Sequence, residues 1–357
     1  MLAPGDMIGI LGGGQLGRML ALAAARLGLS CHILAPEADS PAFEVSALTS
    51  VAAYDDEDAL AAFAATVSAI TYEFENVPVE TVRFLERLKP VRPGSRALEV
   101  AQARLAEKAL AQALGARTAD FAAIRSRADL DAALARIGLP AILKTNRFGY
   151  DGKGQAKLRD PRDAEAAFAM LGGADGILEA FVPFDREVSV VATRGLDGAF
   201  AAFEVTENEH RNHILHRSTV PARISGAAAA AAVDIARRLA EALDYVGTFA
   251  VEFFLIDAEG GQVLVNEIAP RVHNSGHWTM DGAFTCQFEQ HIRAVAGWPL
   301  GDTARIGRTE MLNLIGDEAA DWRAILADGR AHLHLYGKKA IRAGRKMGHV
   351  NRIWPDA

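Results

Sequence analysis

Residues 248–271 read TFAVEFFLIDAEGGQVLVNEIAPR, and this stretch decides how the chain is built. Thr248–Ile256 and Gln262–Ile268 are apolar runs of strand length, and Asp257-Ala-Glu-Gly-Gly261 between them is a turn signal. A hairpin centred on that turn, with Ile256 facing Val263, sets Glu252 opposite Glu267. Side chains opposed on one face lie about 5 Å apart at Cβ. Two carboxylates that close repel unless a cation lies between them. Both sit in apolar surroundings, Val251-Glu-Phe-Phe and Val265-Asn-Glu-Ile, which argues against a solvated face. The plain alternative is a glutamate on an exposed edge. Hard oxygen donors suit Mg²⁺.

Directly downstream lies Arg271-Val-His-Asn-Ser-Gly-His277, a polar run that suits an anion or substrate. His273 and His277 lack the further spaced His or Cys partners of a zinc site. Upstream, the strand Ala141–Thr145 carries Lys144 and leads into a glycine-rich loop, Arg147–Gly154. Within it, Gly149-Tyr-Asp-Gly-Lys-Gly-Gln155 can wrap backbone N–H groups around phosphate oxygens. No Lys-Ser or Lys-Thr closes it before a helix, so it is not a Walker A loop. A plain hairpin turn is the alternative.

The first hundred residues alternate strand and helix: strands at Met7–Leu11, Ser30–Leu34 and Val67–Tyr72, helices at Gln15–Leu27 and Asp56–Thr66. That order predicts a parallel sheet with helices on both faces. Gly12-Gly-Gly14-Gln-Leu-Gly17 fits G-x-G-x-x-G between strand and helix, where a helix N-terminus favours an anion. With Glu37 after the second strand, it leaves a nicotinamide or flavin oxidoreductase open as a rival class. Further on, helices are expected at Ser95–Leu114, Asp163–Leu171 and along the alanine-rich 227–239, and a strand at Gly176–Val182. The tail carries a strand-like Arg330–Tyr336 and a local basic cluster, Lys338-Lys-Ala-Ile-Arg342-Ala-Gly-Arg345-Lys346. A solvated charge run is its bland reading, and a phosphate ester its functional one. The expected layout is a Rossmann-like domain over 1–100, a central α+β domain over 101–297 with a lid over about 117–185, and a small C-terminal domain over 298–357.

Composition sets the outer limits. The chain has 357 residues, 50% hydrophobic and 23% charged, with a net charge of −7. Nucleic acid and anionic membranes favour a broad basic face, which this balance lacks. The two cysteines, Cys31 and Cys286, provide no disulfide framework. No apolar run reaches about 18 residues and no signal-peptide pattern opens the chain, so a cytoplasmic setting is expected.

With these residues in view, the chain resembles the ATP-grasp superfamily and, within it, the N5-carboxyaminoimidazole ribonucleotide synthase family. The likeness spans nearly the whole length. Its markers are Gly12–Met19, Tyr72–Pro78, Gly149–Gln155, Asn266–Arg271, His273–His277 and Arg345–Val350. Val272 departs from the family's usual proline. The resemblance implies an ATP-grasp fold of three subdomains, an ATP-dependent carbon–nitrogen ligase with ATP clamped between the central and C-terminal subdomains and Mg²⁺ at its phosphates, and a homodimer. It implies ATP contacts at Arg104, Lys144, Gly149, Tyr150, Asp151, Gly152, Lys153, Gly154, Gln155, Glu179, Ala180, Phe181, Val182, Glu187, His210, Asn266 and Glu267. Glu252 and Glu267 would hold the metal; Arg271, His273 and Asn274 would bind bicarbonate; Lys144 and Asp151 would join in the chemistry. Gly14, Gln15, Leu16, Glu73, Tyr150, Lys338 and Arg345 would hold aminoimidazole ribonucleotide. A formate-dependent relative, and a nucleotide-binding module without activity, are the remaining rivals.

Overall fold

The computed structural model describes residues 1–147, 154–257 and 261–355. Gly149, Tyr150, Asp151, Gly152 and Lys153 therefore lie outside the described residues. Among the described residues the strands form three sheets.

The first sheet is parallel, in the order β3-β2-β1-β4, from β1 (Met7–Leu11), β2 (Ser30–Ala35), β3 (Leu48–Val51) and β4 (Ala69–Tyr72). Helices α1 (Gln15–Arg26), α2 (Glu57–Ala65) and α3 (Val79–Glu86) cover it. Side chains alternate across its pleat: Ile8, Ile10, Cys31 and Ile33 pack with α1, while Leu11, Leu34, Ile70 and Tyr72 pack with α2 and α3. Burial on both faces is what the continuous apolar strands imply. Gly9 is needed for contact, because a Cβ there would come within 2.6 Å of the Phe63 ring on α2.

The expected single helix Ser95–Leu114 is two helices, α4 (Ser95–Ala101) and α5 (Arg104–Ala113). Gln102 breaks the run by donating its amide to the carbonyls of Glu75 and Val77 at 2.9 and 2.7 Å. Ala103 is extended, and the first amides of α5 are satisfied by Asn146: Arg104 N reaches its carbonyl at 3.0 Å and Leu105 N its side-chain oxygen at 3.0 Å. Local propensity favours one helix, and these tertiary hydrogen bonds override it.

A small antiparallel sheet follows, β5-β8-β6-β7, from β5 (Phe121–Ile124), β6 (Ala141–Thr145), β7 (Gln155–Leu158) and β8 (Gly176–Ala180), with α6 (Arg127–Ile137) and α7 (Ala164–Met170) on one side. The main sheet then builds from β9 (Arg186–Arg194), β10 (Phe200–Ala202), β11 (Thr206–Arg211), β12 (Ile214–Val220), β13 (Gly247–Ile256) and β14 (Gln262–Ala269). The alanine-rich stretch is a helix as read, α8 (Gly226–Ala242), capped by Ser225 and packed on β9, β13 and β14. After α9 (Thr279–Gly282) and α10 (Gln287–Ala296) come β15 (Arg308–Ile315), α11 (Trp322–Leu326), β16 (Ala331–Leu335) and β17 (Lys346–Trp354). β15 pairs with β12, so the tail strands extend the main sheet, in the order β14-β13-β9-β11-β12-β15-β17-β16. A division at 298 thus runs alongside one continuous sheet.

α10 ties the first sheet to the hairpin. Its His291 accepts from Thr248 N through Nδ1 at 3.0 Å and therefore donates from Nε2 to Thr71 Oγ1 at 2.8 Å. Burial holds this imidazole neutral, down to about 4. No helix among the described residues is long and apolar enough to cross a membrane.

Candidate active site

The hairpin is the foundation. Glu252 faces Glu267 as expected, but by a different route. Near the turn Ile256 faces Gln262, not Val263, and the register shifts again between Glu252 and Phe253, leaving Asn266 as a bulge on β14. The bulge decides the chemistry. Val263 and Val265 point under α8, and at regular alternation Glu267 would join them. After the bulge Ile268 takes the buried face, and Glu267 turns to the face of Glu252.

Burial and the facing Glu267 push the Glu252 carboxyl up, with Glu187 adding to the effect. His273 Nε2 stands 3.3 Å from Glu252 Oε1, and Arg104 Nη1 3.5 Å from Glu267 Oε2. A carboxylate pair destabilised by its own proximity is what a divalent cation relieves, so the residues fit Mg²⁺. Among the described residues no group of three or more His, Cys, Asp or Glu is placed to hold a metal ion, so the described side chains would supply such an ion with this pair.

A second charged group is centred on Glu179 in β8. Lys144 of β6 donates to its Oε2 at 2.5 Å, and Lys108 of α5 stands 3.5 Å from its Oε1. Burial opposes ionisation, but the two lysines outweigh it and hold this carboxyl down at about 2. Lys108 also donates to the carbonyls of Val265 and Asn266, at 3.2 and 2.6 Å, and so grips the bulge. Neither Lys108 nor Glu107 was singled out from the sequence. The legible signal was the spacing Arg104, Glu107, Lys108, which puts three charges on one face of α5. Glu107 is buried, accepts from Ile268 N, and is pushed up by burial to about 8. On the other flank, His210 donates to Glu187 at 2.7 Å; burial pulls its pKa down, and Glu187 more than offsets this.

Val182 lies in a small apolar cluster with Ala119 and Leu264, next to Phe254, on which Phe184 stacks at 4.6 Å. The amides of Ala180 and Phe181 bond to Asp120 and Pro140. Gly154 has φ +70, and β7 begins at the next residue, Gln155, which pairs with Lys144.

The loop after β14 brings Arg271, His273 and Asn274 together. Arg271 donates through Nε to Glu75, and burial lowers its pKa to about 10, still charged at neutrality. Both polar atoms of the buried Asn274 side chain lack a partner among the described residues. Val272 is fully buried in the cluster shared by α1 and α10, so it fills a core position beneath this polar run. A cleft lined by Glu75, Gln102, Arg104, Asn146, Glu267 and Arg271 joins this loop to the hairpin.

The N-terminal glycine loop departs from expectation. Its anion is internal: the Glu73 carboxylate accepts from Gly14 N at 2.7 Å and Gly17 N at 2.9 Å. A Cβ on Gly12, which has φ +107, would come within 2.5 Å of Glu73 Cγ. A dinucleotide pyrophosphate would need the place Glu73 occupies, which weakens the oxidoreductase reading. Leu16 packs in the core behind the loop, while Gln15 is partly exposed. Glu73 itself is pushed up by burial, against hydrogen bonds from Gly17 and Gly14 and the charges of Arg271 and Lys338. The basic tail meets it here. Lys338 donates to the Lys346 carbonyl at 2.7 Å, and burial with Arg345 nearby pushes it down to about 8. Arg345 donates to the Ala340 carbonyl at 2.8 Å, and Lys339 pairs with Asp39 across the loop.

Three family models match this chain: a ribonucleotide synthetase preATP-grasp domain over residues 6–102, an ATP-grasp domain over 109–288, and a phosphoribosylaminoimidazole carboxylase C-terminal domain over 309–357. An N5-carboxyaminoimidazole ribonucleotide synthase from Brucella melitensis is 52% identical, covering 99% of this chain and 98% of its own. The solved ADP complex of an N5-carboxyaminoimidazole ribonucleotide synthetase superposes with a TM-score of 0.95 at 42% identity, covering 99% of this chain and 94% of its own. The Aspergillus clavatus synthase, solved with ADP and 5-aminoimidazole ribonucleotide, superposes at 0.91 with 28% identity, over 99% and 94%. With nearly its whole length matched in order, the chain belongs to the N5-carboxyaminoimidazole ribonucleotide synthase family of ATP-grasp proteins.

Proposed function

We propose that this chain is an ATP- and bicarbonate-dependent ligase that converts 5-aminoimidazole ribonucleotide to N5-carboxyaminoimidazole ribonucleotide, with release of ADP and phosphate, in de novo purine biosynthesis. Its setting is the cytoplasm, as a homodimer, by family resemblance. The observation that carries the reading is the facing pair Glu252 and Glu267, set directly against the Arg271–Asn274 loop.

A bicarbonate oxygen attacks the γ-phosphorus of ATP, the bond from that phosphorus to ADP breaks, and carboxyphosphate forms. Mg²⁺ held by Glu252 and Glu267 would neutralise the phosphate oxygens. Lys144 and Arg104 supply fixed positive charge beside them, where it acts in a poorly solvated site. Asn274 suits bicarbonate, whose hydroxyl donates and whose anionic oxygens accept, because its amide offers both an acceptor and a donor, each buried and without a partner among the described residues. Arg271 supplies the countercharge. The apolar cluster at Val182 supports an adenine site. Carboxyphosphate then delivers its carbon to the exocyclic amine; the carbon–oxygen bond to phosphate breaks, and the amine proton passes to the departing phosphate or to Asp151. The loop 149–155 would exclude water, which otherwise hydrolyses the anhydride.

Steady-state ADP release with each substrate omitted in turn tests this. Full release is expected to need the ribonucleotide and to rise with bicarbonate. Equal activity with formate in bicarbonate-free buffer would move the chain to the formyl-transferring relative.

Lys338 and Arg345 bind the ribonucleotide 5′-phosphate in this reading, since arginine grips phosphate with two parallel hydrogen bonds. Arg345→Ala is expected to raise KM for the ribonucleotide about ten-fold or more and to leave KM for ATP nearly unchanged. Because burial depresses Lys338 to about 8, its charge is present below that pH and lost above it. The ribonucleotide KM should therefore climb as pH rises through about 8. A rise confined to the KM for ATP would mean that the tail serves the other ligand.

A further inference from the structure

The geometry points to Ser218, Asn208, Ser189 and Ser275 as positioning residues: a one-directional chain of hydrogen bonds that holds His273 as the Nε2–H tautomer and aims that N–H at Glu252. None of the four belongs to the contact sets implied by the resemblance.

Each link has a direction. Ser218 Oγ donates to Asn208 Oδ1 at 2.8 Å; Asn208 Nδ2 donates to Ser189 Oγ at 2.9 Å; Ser189 Oγ donates to Ser275 Oγ at 2.7 Å. A hydroxyl has a single hydrogen. Ser275, having accepted from Ser189, spends its own on His273 Nδ1, 2.9 Å away. All four residues are buried. The sheet sets up most of the chain, because Asn208 of β11 pairs with Ser218 of β12, and Ser189 of β9 pairs with Glu252 of β13.

The far end is anchored independently. Ser275 N, a backbone group that can only donate, also points at His273 Nδ1, at 3.3 Å. Two donors converge on Nδ1, so it carries no proton and the ring hydrogen sits on Nε2. That nitrogen is 3.3 Å from Glu252 Oε1. The main chain of His273 is held separately: Gln287 accepts from His273 N at 2.9 Å and donates to its carbonyl at 2.7 Å. The ring therefore has a fixed origin and a fixed hydrogen.

The consequence is a division of labour. With its lone pair turned inward and occupied, His273 presents only a donor to the site. It orients Glu252 and an incoming anion and does not accept the amine proton, which must leave by another group. A reversed chain would need the Asn208 amide turned over and a hydrogen on His273 Nδ1, where the Ser275 N–H already points, so the Ser275 backbone sets the direction. This inference rests on the proposed function for its effect on turnover, but not for the tautomer.

The test has two arms. In ¹⁵N-histidine-labelled protein without substrates, the His273 signals, assigned by their loss in His273→Gln, should show a bare Nδ1 and a protonated Nε2. The opposite tautomer in the wild-type protein overturns the proposal, whatever the protein catalyses. In the second arm, Ser275→Ala and Asn208→Leu should each lower kcat by about ten-fold to a hundred-fold. KM for ATP should barely move, the thermal midpoint should fall modestly because each change strands a buried partner, and Ser275→Cys, which keeps a weak donor, should restore part of the kcat loss. If Ser275→Ala does not fold, Asn208→Leu, two links away, carries the same expectation. Unchanged kcat in folded variants overturns the positioning role. Turnover that ignores bicarbonate would overturn the proposed function instead, and would leave the tautomer result standing.

Discussion

Glu252→Gln and Glu267→Gln are each expected to lower kcat for ADP release by about a hundred-fold to a thousand-fold, with the fold retained. Each change keeps size and deletes one charge from a facing pair. The Glu252 carboxyl is already pushed up by burial and by Glu267, so ionising both costs free energy until a cation intervenes. Removing one charge should relieve that repulsion. The thermal midpoint without Mg²⁺ should thus hold or rise, while the extra stabilisation that Mg²⁺ with nucleotide confers on the wild type shrinks. Stability gained where function is lost is the mark of a site whose charges serve a ligand. Near-normal turnover of both variants at saturating Mg²⁺ would remove the hairpin from the chemistry.

The second large effect lies at Glu179. Glu179→Gln should destabilise the protein by about 3–5 kcal/mol, because it leaves Lys108 and Lys144 buried without their countercharge. Both contacts are direct, at 3.5 and 2.5 Å, and Lys108 is 1% exposed. The pH dependence has a definite sign. A carboxyl held at about 2 in the folded protein titrates below its ordinary value, so its stabilisation is present above the ordinary carboxylate range. It is lost as pH falls through that range towards about 2. The wild type should lose stability on acidification more steeply than the variant. Lys144 moderates the gain, since burial pushes its pKa below the usual lysine value despite Glu179. Lys108→Met on the Glu179→Gln background should recover part of the loss by removing one stranded charge. Denaturant unfolding at pH 7 and pH 4 reads all of this. A loss below about 1 kcal/mol for Glu179→Gln at pH 7 would mean that the group is solvated and merely decorative.

How far these groups were legible in the sequence varies with the range of the interaction that makes them. Period-two burial, glycine at strand ends and alanine in helices act within a few residues, so β1, α1, β2, α8 and the two strands of the hairpin could be read in place. The pairing of Glu252 with Glu267 was legible because a hairpin is local. Its route was not: the bulge at Asn266 is held by Lys108 from α5, more than a hundred and fifty positions away in the chain. The split between α4 and α5 was hidden for the same reason, as Gln102 answers to carbonyls of Glu75 and Val77.

By itself the sequence determined many of the local elements, the facing of the two glutamates, the polar run from Arg271 to His277 and the family. Tertiary structure alone decided which charges meet. It gave Glu73, not a ligand, the amides of the glycine loop, and set Lys144 and Lys108 around Glu179. It carried the tail strands into the main sheet and gave His273 a directed hydrogen. The physical reason is that backbone propensity and periodicity are properties of neighbours in the chain. A buried charge or hydrogen bond is worth most where water is excluded, and only the packed fold says where that is.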